Sequence, residues 1–255
     1  IPQATGKPTN KRFWGSVLYC DHHSDFLYNH LICGTTSEAT LQSKHAYEQL
    51  ARTHGVQIKS YHADNLRFND VRFRTDCNKM GQHLTYCGVG AHHQNAVVES
   101  KIKEVCYGGR TILLHAKRKW PDVISTALWP FAVQSIVDRH NKLSLDPKGR
   151  SPLEKFSGVD CNIPVNDFRT WGCPVYILEP QNQSGTIGTR KWDPRSHIGV
   201  NLGHSPCHAT TVALVLNLKT GLVSPQYHVV YDEEFTTVPY LSSIEEPPNW
   251  PDLLH

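Results

Sequence analysis

At 255 residues the chain is long enough for one large domain or two modest ones, with a buried core in either case. Its 39% hydrophobic and 19% charged residues match a globular protein, and no run approaches the roughly 18 to 20 apolar residues of a membrane span, which argues against membrane insertion. The formal charge of +3 is too small to imply a nucleic-acid partner by itself.

The distribution of charge says more. Basic residues gather in "HAKRKW" (115–120), "KGR" (148–150) and "TRKWDPR" (189–195), the first and last with a tryptophan beside the charges. Such clusters suit phosphate contact with base or sugar packing, and equally suit solvated faces. The eight cysteines are scattered singly with no C-x-x-C, which argues against a zinc knuckle and for reduced thiols in a cytosolic or nuclear protein. The pairs His22-His23 and His92-His93 point to opposite faces if extended, so neither pair chelates one ion easily. The first residues lack the apolar stretch of a secretory signal, and the absence of an initial methionine reads as a fragment of something longer.

In chain order, 13–20 and 26–33 are rich in β-branched and aromatic residues around the polar turn "DHHSD", which predicts an antiparallel strand pair. A helix follows, with a capping box from Thr35 and Glu38, a partial stripe of Leu41, Tyr47 and Leu50, and Gly55 at its end. "VQIKSYHAD" alternates as a strand ending at Asp64; next come a short helix over Asp70 to Met80, a strand at "HLTYC" and the loop "GVGAHHQN". Val98, Ile102, Val105, Ile112 and Leu113 share one face of a helix from Asn95 to about Lys117, despite Gly108 and Gly109 in its middle, each costing about 1 kcal/mol against alanine. A further helix is expected from Trp120 to Asn141, kinked or broken at Pro130.

The pattern is that of a mixed α/β domain over 1–156. A linker at 157–164 follows, rich in Pro, Gly, Asn and Asp. The segments "CPVYILEP", "SHIGVNLG", "TTVALVLNL", "GLVSPQYHVVYD" and "EEFTTV" predict a small all-β domain over 165–238, and 239–255 is a Pro-rich acidic tail. Internal repeats are absent.

Asp64 at a strand end and Glu99 in the first turns of a long helix are the two acids best placed for chemistry. A hard divalent ion takes oxygen ligands from carboxylates on rigid elements, and two such ions can serve phosphoryl transfer. The same acids also fit a strand-end turn former and a helix-start acid favoured by the macrodipole. Lys103, four residues after Glu99, shares its face, and Gln94 and Asn95 at the helix start add groups able to contact a nucleotide.

"YHADN" (61–65) and "HHQNAVVES" (92–100) resemble the second and third carboxylate motifs of the integrase region of copia-type LTR retrotransposon polyproteins. "LWPFAVQSIVDRHN" (128–141), "SPLEKFSG" (151–158), "WGCPVYILEP" (171–180) and the stretch 198–238 follow in the same order, so the resemblance covers nearly the whole chain. It implies an RNase H-like core with a mixed sheet whose first strand is missing here, followed by a small β-barrel-like domain. It implies two Mg²⁺ or Mn²⁺ ions held by three acids, of which Asp64 and Glu99 are two, and DNA 3′-end processing with strand transfer. Asn65, His92, Gln94, Asn95 and Lys103 become DNA-facing neighbours. The implied partners are DNA, further copies of the chain and the rest of the polyprotein. The implied location is nucleus and cytoplasm, without secretion.

The resemblance has local departures. Leu66 and Ala96 stand where the family has glycine, and Ser100 where it often has arginine. The first acid is expected upstream, with Asp21 and Asp25 as turn residues. A catalytically inactive nucleic-acid-binding remnant is therefore a rival reading, and an unrelated RNase H-class nuclease a third. A serine hydrolase lacks its G-x-S-x-G.

Overall fold

The computed structural model describes residues 13–64, 68–88, 95–161, 164–179, 192 and 194–241. They form a mixed α/β chain of two compact units, one drawn from 13–108 with 136–161, the other from 109–135 with 164–241. No described helix is long and apolar enough to cross a membrane.

In the first unit, β1 (Gly15–Cys20) and β2 (Leu27–Ile32) pair antiparallel in the register Gly15↔Ile32 to Cys20↔Leu27. Alternation buries Val17 and Tyr19. The turn is shaped by Asp21, whose Oδ2 accepts from the Ser24 N–H at 2.8 Å and the Ser24 hydroxyl at 2.5 Å, and by Asp25 at φ 63. The next helix, α1 (Ser37–Thr53), starts one residue later than the expected Thr35–Glu38 box. Thr36 is extended and its hydroxyl accepts from Ala39 N–H, while Glu38 meets Gln42 and Arg72 instead. Gly55, just past the last turn, takes the left-handed φ of 72 that ends such helices.

The short strand β3 (Ser60–Ala63) pairs in parallel with β4 (His83–Tyr86), and α2 (Val71–Lys79), capped by Asp70, makes the crossover. No ladder joins β1 to β3 among the described residues, so the expected mixed sheet stands as two separate two-stranded halves. The core between α1, α2 and these strands is aromatic: Tyr19 stacks on Tyr47 at 4.8 Å, and Tyr61 meets Phe73 edge-on.

Within that core lies a cation. The Lys44 side chain is fully buried, and its ammonium stands 2.7 Å from Glu48 and 2.6 Å from Asp76 of α2. Glu48 also accepts from Tyr61 of β3 at 2.9 Å and from Gln82, next to β4, at 2.7 Å. Burial alone would raise the pKa of Glu48, but the hydrogen bonds from Lys44, Gln82 and Tyr61 outweigh it and hold the carboxyl below its ordinary value. Asp76 is lowered in the same way by Lys44 and His45.

α3 (Ala96–Lys119) and α4 (Trp129–Leu143) approach closely where the sequence carries its two mid-helix glycines. A Cβ on Gly108 would stand 3.2 Å from Ile136, and one on Gly109 3.2 Å from Val133. The helical cost of those glycines is offset by this packing. The helix expected to begin at Trp120 does not form there. Trp120 closes the last turn of α3 ahead of Pro121, which disfavours helix in the preceding residue, and the chain then takes a turn. A 3₁₀ segment over Thr126–Leu128, capped by Ser125, leads into α4, so Pro130 sits in the first turn of a helix rather than kinking one. After α4 comes α5 (Pro152–Ser157), which carries the capping box Ser151/Glu154.

In the second unit β5 (Pro174–Leu178), β6 (Ser196–His204), β7 (Ala213–Asn217), β8 (Val223–Gln226) and β9 (Val229–Tyr231) form one antiparallel sheet in the order β8-β7-β6-β5-β9. Its core gathers Ala116, Trp120 and Ile124 with Trp171, Val200 and Phe235. "GLVSPQYHVVYD" is thus two strands rather than one, and "EEFTTV" is no strand. The buried Asp232 carboxylate accepts from both the N–H and the hydroxyl of Thr236 and Thr237, bending the chain through Phe235 at φ 60.

Replacing Lys44 by methionine leaves two carboxylates without their buried cation and is expected to lower the unfolding free energy by about 3 kcal/mol in urea at neutral pH. Because Glu48 and Asp76 have depressed pKa values in the folded chain, their contribution is present above the ordinary carboxylate range and lost as pH falls below about 4. The variant should lose much of that acid dependence. Parent-like stability and acid response in the variant would contradict the role given to Lys44.

Candidate functional site

Asp64 follows the last residue of β3 and is exposed. Its strand is held from below by the Tyr61 hydroxyl on Glu48 and laterally by β4, where His62 Nδ1 lies 2.9 Å from the Thr85 hydroxyl and Nε2 3.5 Å from Cys87 Sγ. Beside Asp64 opens a cavity of about 250 Å³ whose lining includes Asp21, His22 and Asn95. Asn95 stands immediately before α3, and Val97 and Val98 of its first turn line the same cavity.

Glu99 lies in that first turn and is half-buried, but it is not part of the cavity lining. Lys103 is exposed, and no ion pair joins it to Glu99 among the described residues. Asn65, His92 and Gln94 lie outside the described residues. The structure thus brings Asp64 and Asn95 to one cavity, with Glu99 about one helical turn further along α3.

Asp21 lines the cavity too, but its Oδ2 is engaged by Ser24 in the hairpin turn. Among the described residues no group of three His, Cys, Asp or Glu side chains is placed to hold a metal ion. Mg²⁺ demands a near-octahedral set of oxygens, and the described donors do not fit such a cage.

The basic clusters divide. Lys117, Arg118 and Lys119 are exposed in the last turn of α3, as are Lys148 and Arg150. Trp120, beside the first cluster, is 3% exposed and belongs to the hydrophobic core, so it cannot stack on a base. Trp192, beside the third, is 87% exposed.

No protein-family model and no curated protein matches the sequence. Among solved structures, the chain overlays partly on the HTLV-2 integrase catalytic core domain in complex with magnesium, with 15% identity and a TM-score of 0.40 over 55% of this chain and 83% of that one. A simian T-cell lymphotropic virus intasome in complex with PP2A regulatory subunit B56 gamma gives 13% identity and 0.44, over 83% and 69%. The catalytic core domain of BIV integrase gives 17% and 0.39, over 58% and 94%. Overlays this partial fix neither the fold class nor the activity of this chain.

Sequence reading missed the group that fastens the start of α3. The Lys101 ammonium donates to Asp25 Oδ2 at 2.7 Å and lies 3.4 Å from Glu104. From α4, His140 Nε2 stands 2.9 Å from the Asp25 carbonyl oxygen and 3.4 Å from its carboxylate. Burial would lower the Lys101 pKa, but the hydrogen bond and charge of Asp25, with Glu104, outweigh it and hold the ammonium above its ordinary value. The same α4 sends Asn141 to pair with Leu27 of β2, accepting from its N–H at 2.8 Å and donating to its carbonyl at 2.7 Å. No spacing signal announces these partners, which lie 76 to 115 positions apart.

Lys101→Met should therefore loosen the helix that carries Glu99. Amide hydrogen exchange over the first two turns of α3 is expected to accelerate about tenfold, with the amides of α1 unchanged. Equal exchange in parent and variant would remove the clamp from the account.

Proposed function

We propose that this chain is an integrase-type DNA-processing domain of the copia-type LTR retrotransposon class, whose work is to trim DNA 3′ ends and join them to target DNA. The observation that carries the reading is the meeting of two distant motif segments. The acid that closes β3, Asp64, and the residue that opens α3, Asn95, line one cavity, with Glu99 a turn beyond. The motif order along the sequence supports it as well.

In this reading Asp64 and Glu99 are two acids of the catalytic site. Asn65, His92, Gln94, Asn95 and Lys103 face DNA, the exposed Lys103 as a phosphate contact. Mg²⁺ or Mn²⁺ is the expected cofactor of the class, but the described donors are too few to hold it, so Asp64 and Glu99 are assigned to the site without a chemical step. The first unit is taken as an RNase H-like core. The five-stranded sheet is taken as a barrel-like domain: its edge strands β8 and β9 are separated only by Tyr227 and His228 in sequence, and a flat sheet would hold edges four spacings of about 4.8 Å apart. The divide between the two domains is taken at 157–164, with 239–255 as a tail. DNA, other copies of the chain and the rest of a polyprotein are the proposed partners, in nucleus and cytoplasm.

A second reading, a DNA-binding remnant without catalysis, is favoured by Leu66, Ala96 and Ser100, the residues standing where the class has glycine, glycine and arginine. The two separate on one assay of the full chain with a labelled duplex and Mg²⁺ or Mn²⁺. The first predicts trimming and joining once the chain is extended upstream to supply the third acid, falling about a hundredfold or more in Asp64→Asn and in Glu99→Gln, while duplex affinity holds. The second predicts duplex binding without joining, indifferent to both substitutions. A chain that does not bind the duplex at all contradicts both.

A further inference from the structure

A second cavity of the first unit, of about 390 Å³, opens between the end of α1 and the approaches to β3 and β4. Its lining includes Glu48, Arg52, Val56, Ile58, Met80 and Gln82. Glu48 is 5% exposed, and its two carboxylate oxygens are served unequally. Oε1 accepts from Lys44 at 2.7 Å, Tyr61 at 2.9 Å and Gln82 at 2.7 Å. Oε2 accepts from no described residue and is not sealed inside the fold, so it opens onto the cavity that Glu48 lines. Gln82 donates from Nε2 to Glu48 and to the Ile58 carbonyl at 3.1 Å, which leaves its own Oε1 buried without a partner. This wall is short of donors, not of acceptors. Charge agrees: Lys44 brings one positive charge to the two negative charges of Glu48 and Asp76, and His45 adds to it only when protonated.

A buried carboxylate with an unbonded oxygen favours a cationic donor. Arg52, one turn along α1 from Glu48, is exposed on the same cavity, and no ion pair engages it among the described residues. A guanidinium there repels a ligand that is only cationic and attracts one that also carries an anion. The same lining holds half-buried Val56 and Ile58 and a Met80 that is 51% exposed, an apolar surface for an aliphatic group. We propose that this cavity binds a free α-amino acid with an apolar side chain, its ammonium on Glu48 Oε2, its carboxylate on Arg52 and its side chain against Val56, Ile58 and Met80. The cavity falls within the roughly 300 to 1,000 Å³ typical of small-molecule sites. Neither DNA nor Asp64 takes part, so this inference and the DNA reading can fail separately.

Glu48 also anchors the core, so the test varies the ligand instead. Titrating the full chain with L-leucine should give saturable NMR shifts of the Val56, Ile58 and Gln82 amides, with a Kd of about a millimolar, as suits a ligand of so few atoms. Isocaproate, which lacks the amine, and isoamylamine, which lacks the carboxylate, should each bind about tenfold more weakly or worse. Arg52→Gln, a change at an exposed position, should weaken leucine by a similar factor and not weaken isoamylamine. No saturable shifts with leucine, equal binding of isocaproate, or an Arg52→Gln chain that binds leucine like the parent or loses leucine and the amine alike would each overturn the proposal.

Discussion

A fully buried ammonium has to be neutralised where it stands, and in the first unit that requirement organises everything around it. Lys44 of α1 draws Asp76 of α2 and Glu48 of its own helix to within 2.7 Å. Glu48 in turn fixes the Tyr61 hydroxyl of β3 and Gln82 beside β4. One charge therefore ties two helices and two strands together. Such a group contributes little when complete and costs several kcal/mol when one member is missing. Its value here is positional: β3 cannot shift along its axis without breaking the Tyr61 bond, and Asp64 is the next residue beyond that strand.

A second ionic group does the same for the other side of the cavity. Asp25 sits in a left-handed conformation in the β1–β2 turn, facing Lys101 of α3 and His140 of α4. The start of α3, with Asn95 and Glu99, is thereby fastened to the hairpin. Two polar anchors on opposite walls hold one acid at a strand end and another in a first helical turn, and rigid elements are where such groups are held best.

Much of this was legible in the sequence. β-Branched and aromatic residues over 13–20 and 26–33, around a polar turn, implied the hairpin, and Asp70 to Met80 marked α2 almost to the residue. Asp64 and Glu99 could be placed on their elements by pattern alone. What could not be read is tertiary. Lys44 looks like part of the polar face of α1, and nothing local says that it is buried. Gly108 and Gly109 read as a helical cost until Ile136 and Val133 of α4 come up against them. The segment after Asp232 reads as a strand by composition, but a buried carboxylate gathering four donors from Thr236 and Thr237 outcompetes a ladder. The mixed sheet, expected to lack its first strand, stands among the described residues as two two-stranded halves.

The central claim is that the cavity between the end of β3 and the start of α3 is the face that meets DNA. Photo-crosslinking tests it most directly. A benzoylphenylalanine in place of Asn95, on the cavity, is compared with one in place of Gln42, exposed on α1 and outside the cavity lining. The account predicts a crosslink to a labelled duplex from the first position, competed away by unlabelled duplex, and none from the second. Equal crosslinking from both, or none from the cavity position while the duplex is bound, would contradict it.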